Sequence, residues 1–108
     1  MNSNAEITPD FFNVFGAWFD ADLVDLYNQE SVDNAIGGSG ADLSRRDTDL
    51  NDLIARLTGV LEQWGPDKIQ PFERATNIDW LASEQTEAIL RYIIQGIIKE
   101  LAFHRDRR

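Results

Sequence analysis

From Leu50 to Trp64 the apolar residues stand at Leu50, Leu53, Ile54, Leu57, Val60, Leu61 and Trp64, separated by three, one, three, three, one and three positions. That rhythm lays one continuous stripe on a helix of 3.6 residues per turn, whereas a half-buried strand needs alternation by two. A second band, Ile89, Leu90, Ile93, Ile94, Ile97, Ile98 and Leu101, keeps the same spacing but is wider than one stripe. A helix apolar over so much of its circumference needs neighbours on two sides, so this one is expected at the centre. No stretch alternates convincingly. With 108 residues, enough for one modest core, the pattern predicts an all-α, single-domain bundle of four to five helices spanning residues 1–108.

Start and stop signals divide the chain further. Thr8, Pro9 and Asp10 form a helix start: a cap, a proline at the first helical position and an acid at the positive end of the dipole. Phe11, Phe15, Trp18 and Phe19 then share one face and are expected in the core, with Leu23 and Leu26 continuing the stripe. Asp20 or Asp22 can restart the helix, so the aromatic N-terminal helix is expected to be kinked or split in two. Ser31 is expected to cap a short helix over 32–36. The run GGSGADLSRRD, residues 37–47, reads as a flexible loop within the domain. Asp47 or Thr48 is expected to cap the second long helix, which stops at Gly65-Pro66. The two prolines of PDKIQPFERATN limit that stretch to a turn or a short helix near residues 72–75. Asn77 or Asp79 then caps a single turn holding Trp80 and Leu81, and Ser83 caps the last helix.

Charge is divided unevenly. The first 44 residues hold eight carboxylates and no Lys or Arg; the remaining 64 hold 11 acids and 10 bases. The net charge of −9 disfavours direct contact with nucleic acid or anionic lipid and favours a cationic partner. Without cysteine there is no disulfide and no thiolate zinc site, in keeping with a cytoplasmic setting. No secretory leader and no membrane span is expected from the apolar pattern.

The acids make neither a metal loop nor a catalytic pair. From Asp20 an EF-hand pattern would need an acid or amide at position 24 and Gly at 25, where Val24 and Asp25 stand. From Asp47 the same pattern meets Asp52 in place of its Gly and Thr58 in place of its bidentate Glu. His104 lies in a basic C-terminal cluster that complements the helix dipole, with no nucleophile beside it. No metal, no cofactor and no catalysis are expected. Asp10 is accounted for by helix capping. Asp20, Asp22, Asp25, Glu30, Asp33 and Asp42 remain, with Tyr27 as a candidate exposed aromatic among them. Together they are the expected partner-binding surface, since an aromatic at the rim of an acidic patch is a common hot spot for a basic protein.

The segment Phe15-Gly16-Ala17-Trp18-Phe19-Asp20-Ala21-Asp22 resembles a stretch found in some bacterial contact-dependent growth inhibition immunity proteins, which carry Phe-Gly-x-aromatic-aromatic followed shortly by Asp. The resemblance covers about eight residues and implies a non-catalytic protein that neutralises one toxin domain, commonly a nuclease. A phage-type inhibitor that mimics nucleic acid, and a helical adaptor or secretion chaperone acting as a dimer, are the competing expectations.

Overall fold

The computed structural model describes residues 7–46 and 49–107. Five helices make up the described residues: α1 (Pro9–Phe19), α2 (Gln29–Arg46), α3 (Leu50–Glu62), α4 (Pro66–Thr76) and α5 (Glu84–Asp106), with no strand among them. The main packing runs α4 on α1, α1 on α2, α2 on α5 and α5 on α3. The all-α bundle is as expected, and α5 does pack on two sides, with Leu90, Ile93, Ile94, Ile97 and Leu101 fully buried.

α1 begins as read, with Thr8 at the N-cap, Pro9 in the first turn and Asp10 behind it. It runs as one helix to Phe19 and is not restarted at Asp20 or Asp22. Asp20 leaves helical geometry at ψ 145°, and its carboxylate accepts the Asp22 N–H (2.9 Å). The next amide, that of Ala21, donates to the Thr76 carbonyl at the end of α4 (2.9 Å), which draws the chain away from the helix axis. Residues 20–28 are therefore a corner of turns, and Leu23 points out of the core at 67% exposure.

The aromatic core forms where α1 meets α4. Phe11, Phe15 and Phe19 stack along α1, and Phe72 of α4 meets the Phe11, Phe12 and Phe15 rings edge-on at 5.1–6.0 Å. This burial explains why α4 runs eleven residues, through Pro71, instead of the short turn the prolines suggested. An interior proline costs about 3 kcal/mol. Burying Ile69 and Phe72 returns about 1.5–3 kcal/mol each. α4 ends at Asn77, whose φ of 60° is left-handed. Asp79 then caps the turn carrying Trp80 by accepting the Leu81 N–H (3.1 Å).

The largest departure from the sequence reading lies in α2. Residues 37–46 are helix, not a flexible loop; Asp47 lies outside the described residues. The helix starts earlier than Ser31 as well. Asn28 accepts the Ser31 N–H through its side chain and the Val32 N–H through its carbonyl (3.1 Å each). Two of the glycines serve close packing. A Cβ at Gly40 would lie 2.5 Å from Glu100 Cβ on α5, and one at Gly38 would lie 2.5 Å from the Trp18 indole. Gly96 on α5 returns the arrangement by giving room to Ile36 (2.9 Å). Each glycine costs about 1 kcal/mol of helix propensity, offset at Gly40 and Gly96 by close packing of α2 on α5 and at Gly38 by seating the Trp18 ring.

α3 is capped by Asp49, which accepts the Asp52 N–H (3.0 Å). Asp47 and Thr48, the caps expected from sequence, lie outside the described residues. Ser83 caps α5 as read, accepting the Thr86 N–H (3.1 Å).

Candidate functional site

The corner between α1 and α2 gathers most of the candidate residues. Asp20 and Asp25 shape it. Asp20 accepts the Asp22 N–H, Asp25 accepts the Tyr27 N–H (3.1 Å), and the Asp25 N–H reaches Ser31 Oγ (3.2 Å). These are side-chain turns of the kind Asp forms readily. Asp22 and Glu30 are exposed and have no side-chain partner among the described residues. Between them stand Leu23 and Tyr27, 67% and 68% exposed. Asp33, one turn into α2, accepts the Tyr92 hydroxyl of α5 (2.6 Å) and the Gln29 amide (2.9 Å). Gln29 also donates to the Tyr92 oxygen (2.9 Å). The hydrogen bond to Asp33 holds the Tyr92 phenol protonated and raises its pKa above the ordinary value.

Asp42 does not belong to this surface. It lies nine residues beyond Asp33, about 13 Å along the helix at 1.5 Å per residue. Its carboxylate is held by Arg46 Nε (2.8 Å), approached by Arg45 (3.9 Å) and contacted by the Trp18 indole N–H (3.4 Å). The Arg46 hydrogen bond is the main cause of an Asp42 pKa below the usual range. Asp42 is thus matched to arginine within the chain. Trp18, expected in the core, is instead 38% exposed, lying over Gly38 with its N–H on Asp42.

Two larger concave features flank these residues, beside a smaller one of about 370 Å³ between Trp18, Leu23, Val24, Ser31 and Asn34. A cleft of about 400 Å³ opens between the corner and α5, lined by Leu26, Tyr27, Gln29, Val32, Gln85, Ala88, Ile89 and Tyr92. A wider open groove of about 950 Å³ follows α1 and α4, where Phe12, Asp20, Asp67, Lys68 and Arg74 mix both signs of charge. Sequence reasoning missed both. The groove depends on how α1 crosses α4, which no local pattern records. The cleft had one signal: Tyr92 falls off the buried band of α5, an aromatic placed toward solvent.

Elsewhere, Glu73 on α4 faces Asp79. Burial and the second carboxyl together raise the Glu73 pKa. His104 meets Phe103 edge-on near the end of α5 (5.5 Å). Among the described residues no group of three or more His, Cys, Asp or Glu side chains is arranged to hold a metal ion. Nor is any described helix long and apolar enough to cross a membrane. Comparison with protein-family models, with characterised proteins and with solved structures returned no match.

Proposed function

We propose that this chain is a binding protein that captures a basic protein partner at the α1–α2 corner. The observation that carries the reading is the pairing of unpartnered Asp22 and Glu30 with exposed Leu23 and Tyr27. Apolar groups at the centre of a contact supply affinity, and free carboxylates around them steer and select a cation-rich surface. Asp20, Asp25 and Asp33 add to the attracting field without an intramolecular ion pair among the described residues. In the more specific form, the partner is a toxin domain, a nuclease whose Lys and Arg would otherwise hold phosphate, and the chain acts as its immunity protein in the bacterial cytoplasm. The Phe15–Asp22 resemblance and the acidic surface support that form. A nucleic-acid mimic fits less well, because such a surface needs a long run of unpaired carboxylates and Asp42 is already matched to arginine.

The test is co-expression with the product of the adjacent gene, which this reading expects to carry the toxin domain, followed by co-purification and measurement of association rate against salt. A complex is expected, with an on-rate that falls about tenfold between 50 mM and 500 mM salt. In the Asp22→Asn, Glu30→Gln double variant, the expected on-rate is lower and its salt dependence shallower. An unchanged on-rate in that variant would remove the corner from consideration.

A further inference from the structure

The cleft beside Tyr27 carries a narrower assignment, which rests on the binding role just proposed. Its walls and the carboxylate bonded to them differ in chemistry. Leu26 and Ile89 supply apolar surface, and Tyr27 and Tyr92 supply aromatic rings with their faces partly in solvent, 68% and 45% exposed. Two amide side chains, Gln29 and Gln85, line the same space. No Lys or Arg lines it. Asp33 does not itself line the cleft, but its Oδ1 accepts from two groups that do, the Tyr92 hydroxyl and the Gln29 amide, and its Oδ2 has no partner among the described residues. A long aliphatic stem with a planar, positively charged end matches these surfaces, from the apolar walls to the carboxylate bonded to them. We infer that the cleft receives one arginine side chain of the basic partner, its methylenes along Leu26 and Ile89 and its guanidinium at Asp33 Oδ2 and the tyrosine rings.

Arginine is favoured over lysine on geometry. The guanidinium is flat enough to lie on a tyrosine face and has five N–H donors to divide among Asp33 and the amide oxygens of Gln29 and Gln85. A lysine ammonium, a compact point charge with three donors, can neither lie flat on a ring nor spread its donors over all three groups at once. The cleft's volume of about 400 Å³ is at the small end for ligand pockets, which suits one side chain and not a folded segment.

The assignment is tested by NMR titration of the whole protein with the acetylated, amidated tripeptide Gly-Arg-Gly and with its citrulline counterpart, neutral but of the same shape. The arginine peptide is expected to shift the Gln29 and Gln85 side-chain amides and the Ile89 backbone amide. The citrulline peptide is expected to bind about tenfold more weakly, since it lacks the charge-assisted bond. Asp33→Asn and Tyr27→Ala should each weaken the arginine peptide about fivefold or more, with the thermal midpoint of both variants measured as a check on folding. An Asp67→Asn variant should bind it within about twofold of the parent, because that carboxylate lines the separate α1–α4 groove and not the cleft. Equal binding of the arginine and citrulline peptides, shifts confined to other regions, or a dimer of this chain that buries Tyr27 would each overturn the assignment. If the toxin domain still binds in a manner sensitive to Asp22 and Glu30 while the peptide does not bind, the cleft assignment falls and the binding role stands.

Discussion

The two ends of α2 hold carboxylates of the same chemistry under opposite conditions. At the C-terminal end, Asp42 sits among Arg45, Arg46 and the Trp18 indole, and Asp10 of α1 adds its own attraction to Arg46. At the N-terminal end, Asp22, Asp25, Glu30 and Asp33 meet no cation among the described residues, and Leu23 and Tyr27 stand exposed between them. One end closes its charges on itself and seats its glycines against neighbours; the other leaves charge and apolar surface facing outward. Counting acids along the chain merges these two conditions. The difference lies in whether the next turn of helix supplies a base.

If the C-terminal end of α2 is a packing device, filling its closest approach should damage the fold most. Gly40→Ala puts a methyl 2.5 Å from Glu100 Cβ, an atom too near the α5 backbone to swing aside. We expect a loss of about 2 kcal/mol in urea unfolding, an overpacking cost that outweighs the helix propensity gained by alanine. A Gly40→Ala protein as stable as the parent would mean that α2 and α5 are not in close contact there.

Next in size is Asp42→Asn, expected to cost about 1 kcal/mol at neutral pH from the loss of the Arg46 and Arg45 attraction. The pH dependence has a definite sign. The folded-state pKa of Asp42 is depressed, so its contribution is fully present above the ordinary carboxylate range and is lost as pH falls through that range and below it. The parent should therefore lose more stability on acidification than Asp42→Asn does. Glu73 acts in the opposite direction: its raised folded-state pKa means that stability is gained as pH falls through the raised value toward the ordinary one. Measuring the pair in a Glu73→Gln background removes that opposing change and isolates Asp42.

The helices were legible in the sequence wherever apolar spacing and capping agreed. α3 and α5 follow from their stripes and from Gly65-Pro66 and Ser83. The glycines of α2 and the prolines of α4 misled for a common reason: both are weak or adverse local signals overruled by partners distant in sequence. Gly40 is explained by Glu100, sixty residues later, and Pro71 is tolerated because Phe72 reaches the phenylalanines of α1. The surface was legible in part. Its acidity and the exposure of Tyr27 could be read, but not that Arg45 and Arg46 return along the same helix to neutralise Asp42 once the presumed loop is helical. Nor could the contribution of Tyr92, which depends on α5 lying beside the first turns of α2.

Gly37 offers a smaller test of the same distinction. A Cβ there meets nothing within 4 Å, unlike one at Gly40 three residues on. Gly37→Ala should stabilise the protein by about 0.5–1 kcal/mol, through helix propensity and a less flexible unfolded chain. Opposite signs at the two positions are what a packed helix requires; similar effects at both would be expected of a loop.

The smallest expected change in stability belongs to the end of α2 proposed to bind. Glu30 has no side-chain partner among the described residues and lies in the first turn of α2, where its charge interacts favourably with the helix dipole. Glu30→Gln removes that small gain and, at the same time, relieves repulsion from Asp33 and Asp25, so the two nearly cancel and the unfolding midpoint should shift by less than about 0.5 kcal/mol-equivalent. The response to salt is more informative. Repulsion among unpaired acids is screened by salt, so the parent should gain stability as salt is raised from low concentration, and Glu30→Gln should gain less. Asp42→Asn should move the other way, because the attraction it removes is one that salt weakens in the parent. An identical salt response in the two variants would show that the ends of α2 do not differ electrostatically, and the case for a basic partner at the corner would lose its physical basis.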